Sequence, residues 1–393
     1  MNELTRRNML ALSAAAAALA PLPVLASEGP ETLNGLAAAK GLRFGSCLGT
    51  GPSGAPHPDA HFDPRRADSF DDPAMQALFE RECGILVPEN ELKWYAVRPT
   101  PDVFDFTRAD KLIAFVRANG LLMRGHTLLW NSARWFPKWF ETYDFGSRPA
   151  SEAERLLTEH IAKVCGHCGD VIFAWDVVNE TIDHDTGALR DTPFTKYLGP
   201  ETIDIAFHAA RQAAPHAQLV YNDYMAWGAH NEAHRSGVLK LLERLRKTGV
   251  PIDALGVQAH IGPGAPEGDA VFSADDQKGW RGFLSDVTSM NLDIVITELD
   301  VNDRYLPADV AARDAAVAAL AKDYLSLVLD EKRLRYVMAW GLVDKYSWLQ
   351  GNTPRADGLV KRPCPYDDDY KPKPLREAIA AAFRGAPTRS WLT

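Results

Sequence analysis

The chain has 393 residues, 46% hydrophobic, 24% charged and 9% aromatic, which supplies a sizeable core and excludes a disordered chain. Its formal charge of −9, from 43 Lys+Arg against 52 Asp+Glu without a long basic run, argues against nucleic acid or an anionic membrane as partner and favours a neutral ligand. Five cysteines are too few for a disulfide scaffold, and the odd count leaves at least one thiol without an internal partner.

The chain opens with an address. Thr5-Arg6-Arg7-Asn8-Met9-Leu10 sets a twin arginine before the apolar run Met9 to Ala20, and Val24-Leu25-Ala26 offers small residues for cleavage. A membrane anchor needs about 20 apolar residues. This run is shorter and meets Pro21 and Pro23. Residues 1–26 are therefore expected to be a twin-arginine (Tat) export signal. Residues 27–393 would be the mature chain, periplasmic or secreted, with no membrane attachment after cleavage. No phosphate-cradling glycine loop contradicts that setting.

Short apolar runs rich in β-branched or aromatic residues follow at 44–49, 85–90, 121–130, 171–180, 219–224, 254–261, 293–301 and 336–344. Segments of helical periodicity lie between them. Val238, Leu239, Leu241, Leu242 and Leu245 mark the apolar face of one amphipathic helix, with Glu243, Arg244 and Arg246 on the other side. Gly84, Gly120 and Gly249 each end such a helix just before a strand, where glycine lets the chain reverse. Eight regularly spaced strand–helix units predict a single (β/α)8 TIM barrel as one catalytic domain. An open doubly wound sheet would want a glycine-rich first turn, which Gly45-Ser46-Cys47-Leu48-Gly49 matches poorly.

Sites of barrels lie at the C-terminal strand ends, and here those ends are polar. Strand two ends in Glu89-Asn90 with Lys93 and Trp94 after it, strand three carries His126 and Trp130, and strand four ends in Asn179-Glu180. Strand five ends in Asn222-Asp223-Tyr224, strand six in Gln258 and His260, strand seven in Glu298 and Asp300, and strand eight carries Trp340, Asp344 and Trp348. Indole faces stack on sugar rings while Asn, Gln, Lys and Glu hydrogen-bond hydroxyls, so the mouth reads as a cleft for a neutral polyhydroxyl ligand. Cleaving a glycosidic bond needs two carboxyl groups in opposite protonation states, and Glu180 and Glu298 are the natural pair across the mouth. A separation of about 5 Å would be the retaining geometry. Two rim glutamates tied to neighbouring lysines or arginines are the plain structural alternative. A secreted sugar-binding protein without turnover is the other class, but it has no use for a carboxyl on each side of the bond.

Five segments, Trp175-Asp176-Val177-Val178-Asn179-Glu180, Ile296-Thr297-Glu298-Leu299-Asp300, His126-Thr127-Leu128-Leu129-Trp130, Glu89-Asn90-Glu91-Leu92-Lys93-Trp94 and Trp340-Gly341-Leu342-Val343-Asp344 through Trp348, resemble glycoside hydrolase family 10. The resemblance implies a retaining endo-β-1,4-xylanase acting on xylan or xylo-oligosaccharides with no cofactor and no metal. It makes Glu180 the acid/base and Glu298 the nucleophile, with His260 hydrogen-bonding the nucleophile and helping to keep it ionised. Asn179 would meet the 2-hydroxyl of the sugar on the nucleophile side. Glu89, Asn90, Lys93, His126, Trp130, Gln258, Trp340 and Trp348 would line the glycone subsites, and Tyr224 counts among the substrate-binding residues. A monomer is expected. After Trp130 the family commonly continues His-Ser-Gln, whereas this chain reads Asn131-Ser132-Ala133, so one amide that usually reaches substrate is missing. The segment from Gly49 to Pro73 is also long for the family's first loop, and on the catalytic face it could narrow the cleft or end a subsite.

Three other motifs are expected to be structural. Cys165-Gly166-His167-Cys168 has the letters of a thiol–disulfide motif but is placed after a helix spanning 151–164, away from the helix N-terminus that lowers a thiol pKa. In an oxidising compartment a local disulfide is the other structural option. His230-Asn231-Glu232-Ala233-His234 has its glutamate one place late for a zinc helix and reads as a solvated helix start. Pro365 to Tyr370 lacks the spaced ligands of a calcium loop and reads as a solvated loop.

Overall fold

The computed structural model describes residues 31–51, 69–263, 272–352 and 354–391, and Glu31 onward forms one compact unit. The export signal and most of the Gly49–Pro73 segment lie outside the described residues.

Eight strands carry the fold: β1 (Arg43–Leu48), β2 (Ile85–Pro88), β3 (Leu122–Gly125), β4 (Ile172–Asn179), β5 (Gln218–Asp223), β6 (Ala254–Val257), β7 (Asp293–Val301) and β8 (Leu334–Ala339). Each pairs in parallel with the next, and β8 returns to β1 from Arg43↔Tyr336 to Ser46↔Ala339, which closes the expected barrel. Two-residue extensions, Leu129–Trp130 beside β4 and His260–Ile261 beside β7, continue the wall toward the mouth.

The period of two along a strand splits the apolar residues between two cores. Val220, Ala254, Val295 and Met338 fill the barrel interior, while Ile294, Ile296, Leu255 and Leu219 pack outward against the helices. With both faces covered, β7 is buried at every residue, and each aliphatic side chain so placed contributes roughly 1.5–3 kcal/mol.

The helices follow their apolar stripes. Glu232–Lys247 buries Val238, Leu241, Leu242 and Leu245 as expected, with Leu239 only half-buried at the edge of the stripe. Gly120 and Gly249 take the expected left-handed backbone at φ 62° and 75°. Gly84 is a different case: its φ is not positive, and a Cβ there would come within 2.4 Å of the Asn34 amide, displacing a side chain that accepts from Phe44 N at 3.1 Å.

Three expectations are corrected. The helix Pro149–Cys168 extends beyond 164 because Leu157, Ile161, Val164 and Cys168, spaced three or four apart, continue one inner face, with Cys165 beside Val164. The two cysteines therefore form its last turn as core residues. Both are buried and unbridged, and burial pushes the Cys165 thiol up and the Cys168 thiol up to about 12, so neither supplies a thiolate. His234 is not solvated; it is wholly buried, with Nε2 3.2 Å from Asp223 Oδ2, and ties its helix to the end of β5. In the Pro365–Tyr370 loop Asp368 and Asp369 are exposed, but Tyr366 is buried with its hydroxyl donating to Glu82 Oε1 at 2.7 Å, and the Tyr370 hydroxyl donates to Asp72.

Candidate active site

The C-terminal strand ends surround a cleft of about 710 Å³. Every residue predicted for the site lines it: Glu89, Asn90, Lys93, His126, Trp130, Asn179, Glu180, Tyr224, Gln258, His260, Glu298, Trp340 and Trp348.

Glu180 follows the last residue of β4 and adopts φ 54°, a left-handed conformation that costs a residue other than glycine roughly 1–2 kcal/mol. Its N–H still donates to Asn222 O at 2.9 Å, so the chain turns into the cleft without losing the ladder to β5. Trp130 Nε1 donates to Glu180 Oε2 at 2.8 Å and Gln258 Nε2 to Oε1 at 2.9 Å. Burial raises the pKa of this carboxyl, and the charges of Asp223 and Glu298 add to that; together they outweigh the two donors.

Glu298 has the opposite surroundings. Burial alone would raise its pKa too, but the hydrogen bond from His260 and the charges of His126, His260 and Lys93 hold it down at about 2. His260 Nε2 lies 3.3 Å from Glu298 Oε2, and its Nδ1 lies 3.0 Å from Asp300 Oδ1. Burial would discharge the imidazole, but Asp300 and Glu298 overcome that and raise it to about 10. Trp348 Nε1 donates to the other Asp300 oxygen at 2.7 Å, fixing the carboxylate behind the ring.

Asn222 joins the two halves. Its Nδ2 donates to Glu298 Oε1 at 2.8 Å and to Asn179 Oδ1 at 2.9 Å, while its Oδ1 accepts from Thr297 Oγ1 at 2.7 Å. The amide fits because residue 256 is glycine: a Cβ there would come within 2.4 Å of Asn222 Oδ1. On the other wall Lys93 Nζ donates to Asn90 Oδ1 at 3.1 Å and sits 4.6 Å over the Trp130 ring. His126 Nδ1 is 2.9 Å from Asp176 Oδ2, and Arg124 holds the second oxygen of that carboxylate. At the rim the Tyr224 hydroxyl accepts from Arg190 Nη2 at 2.6 Å.

Several strand-end residues stand behind the cleft. Trp94 stacks on buried His160 at 3.7 Å, and Asp223 is engaged by Tyr221 and His234. Asp344 is buried against Lys373 Nζ, 2.9 Å from Oδ2. Tyr95, Arg134, Trp135 and Asn352 line the cleft without having been predicted. The signal for two of them was present, because Arg134 and Trp135 follow directly on the segment that departs from the family pattern. Asn131 turns away from the cleft, its Nδ2 donating to Thr181 Oγ1 at 2.6 Å and its Oδ1 accepting from Thr192 Oγ1 at 2.8 Å. Among the described residues no group of three or more His, Cys, Asp or Glu is arranged to hold a metal ion. What the cleft offers is one carboxyl biased to its protonated form and one held ionised, flanked by indoles, amides and a lysine.

A family model described as "Glycosyl hydrolase family 10" matches residues 58–382. The endo-1,4-beta-xylanase 5 of Pyricularia oryzae is 31% identical over 367 residues, 92% of this chain and 80% of that protein. The endo-1,4-beta-xylanase B of Thermotoga neapolitana is 31% identical over 300 residues, 76% of this chain and 80% of that protein. Among solved structures, xylanase 10B of Thermotoga petrophila RKU-1 in complex with xylobiose is similar with a TM-score of 0.76 at 28% identity, covering 90% of this chain and 98% of that one.

Proposed function

The chain belongs to glycosyl hydrolase family 10, and from that premise we propose that it is an endo-β-1,4-xylanase that cleaves internal bonds of xylan or xylo-oligosaccharides with retention of configuration. The observation that carries the reading is the opposite bias of the two cleft carboxyls, Glu180 raised and Glu298 held at about 2. The names of its relatives support the substrate.

In the first step Glu180 gives its proton to the glycosidic oxygen as a Glu298 oxygen attacks the anomeric carbon. The carbon–oxygen bond to the leaving sugar breaks, and a glycosyl ester on Glu298 forms. Glu180, now a carboxylate, takes a proton from water, whose oxygen displaces Glu298 and restores both groups. His260 keeps the nucleophile ionised, Asn179 meets the 2-hydroxyl beside it, and Trp130, Trp340 and Trp348 supply stacking faces. Residues 1–26 act in this reading as a Tat export signal and 27–393 as one monomeric catalytic domain, periplasmic or secreted. No helix among the described residues is long and apolar enough to cross a membrane.

Purified protein is expected to release reducing ends from xylan and far fewer from carboxymethylcellulose or β-mannan, and proton NMR of fresh hydrolysate should show the β-anomer first. No release from xylan overturns the substrate, and an early α-anomer overturns the double displacement.

His260→Asn tests how the nucleophile stays ionised. Without the imidazolium the Glu298 pKa rises from about 2 toward the ordinary carboxylate range. The active ionised form is lost as pH falls through that pKa, so the acid limb of the kcat/KM profile should move to higher pH. An acid limb that stays in place would remove His260 from this role.

A further inference from the structure

Resting on the xylanase reading, we infer that Asn231 is a specificity-determining residue for the leaving sugar and that His184 and His230 orient its amide in a pH-dependent way. The line from Glu180 on β4 to Glu298 on β7 divides the mouth of the barrel. Strands β8, β1, β2 and β3 lie on one side of it, β5 and β6 on the other. The residues assigned to the glycone come mostly from the first side, so a sugar chain crossing that line sets its leaving part over the end of β5. There Tyr224, Met225, Ala226 and Asn231 line the cleft. Of these four side chains two are apolar, and the Tyr224 hydroxyl is bonded to Arg190. The Asn231 amide is the remaining polar group.

Asn231 ends the 3-10 turn Ala229–Asn231 just before the helix Glu232–Lys247, and its amide lies between two imidazoles. His184, on the loop after β4, has Nε2 3.2 Å from Asn231 Oδ1, and Asn231 Nδ2 lies 2.9 Å from His230 Nε2. His184 Nδ1 is 2.9 Å from Asp185 Oδ1. Carboxylate and carbonyl oxygens only accept, so both His184 nitrogens carry protons in this arrangement, and His230 Nε2, which accepts from the amide, does not. When His184 gives up its Nε2 proton to solvent, a lone pair faces Asn231 Oδ1. The amide then turns over: Nδ2 donates to His184 and Oδ1 accepts from His230, whose own proton moves from Nδ1 to Nε2. A hydroxyl of the leaving sugar facing the amide thus meets a donor in one state and an acceptor in the other. The protonated state holds the amide through a charge-assisted bond and presents it better ordered. The rings of His234 and Tyr224 also face His184, with centroids 5.6 and 6.1 Å away, the first paired with Asp223 and the second with Arg190. Glu232, next to Asn231, is taken by Arg235 and Ser236, and Asp183 by Thr186. None of these contacts depends on which way the amide points.

The test measures KM of the full protein, between pH about 5 and 8, on unbranched xylo-oligosaccharides and on an aryl xylobioside, whose leaving group carries no free hydroxyl for the amide to read. The ratio of the two KM values should rise about threefold as pH rises. His184→Gln keeps a donor toward Asn231 Oδ1 but does not titrate, so it should hold the ratio at its low-pH value throughout. Asn231→Ala should raise the oligosaccharide KM about fivefold and remove the dependence. Nitrogen NMR of histidine-labelled protein gives a readout apart from activity: as His184 loses its proton, His230 should pass from the Nδ1–H to the Nε2–H tautomer at the same midpoint. A ratio that does not move with pH, one that still moves in His184→Gln, or a His230 that keeps its tautomer while His184 titrates overturns the inference. Failure to hydrolyse the unbranched oligosaccharides sinks the xylanase assignment, whereas hydrolysis with a ratio independent of pH sinks only the role of Asn231.

Discussion

Glu298→Ala should abolish turnover of xylan and of activated aryl xylosides alike, by a factor on the order of 10⁵. A better leaving group cannot compensate, because the missing element is the atom that bonds the anomeric carbon. The neighbours cannot replace it: Asn222 and His260 approach Glu298 as donors, and Asn179 already accepts from Asn222 and Gln258. Azide seated in the vacated space attacks from the nucleophile's side and, with an activated substrate, should give an α-glycosyl azide. Folding is controlled with Glu298→Gln, which keeps the shape and an acceptor for Asn222; its thermal transition should lie close to wild type while turnover is still lost. A folded Glu298→Ala that keeps more than a few per cent of activity on either substrate overturns the assignment.

The site was legible in the sequence where position along a strand decides which way a residue faces. Glu180, Gln258 and Glu298 each lie at or near a strand end, so assigning the strand places the side chain at the mouth. The unread parts depend on contacts between distant segments. Asn222 stood out at the end of strand five, yet its junction role rests on a missing Cβ at Gly256 and a hydroxyl at Thr297. Asp344 is near the mouth by counting, but Lys373, a later residue, draws it into the wall. The cysteine pair was rightly read as structural, but the helix end before it was misjudged, because its spacing continues the helix stripe from Leu157. Composition could not have separated Trp94, packed in the core against His160, from Trp130, which lines the cleft.

Glu180→Ala should fail selectively. Removing the proton donor slows glycosylation by about 10³-fold or more on xylan, whose leaving group is a poorly acidic sugar alcohol, and much less on an aryl xyloside whose leaving group departs as an anion. Deglycosylation then limits, because nothing activates the water, and the glycosyl ester on Glu298 should accumulate as a burst. Azide needs no deprotonation. It should accelerate turnover of the aryl substrate and, attacking from the face opposite Glu298, yield a β-glycosyl azide. The pH profile gives a second signature: Glu180 must be protonated in the first step, so the alkaline limb of wild type reports its raised pKa and should vanish for the variant on the aryl substrate. The surroundings make the effect local, since Trp130 and Gln258, the donors freed by the change, both line the cleft. Equal losses on xylan and aryl substrates, or azides of swapped configuration in the two glutamate variants, would exchange or remove the two roles.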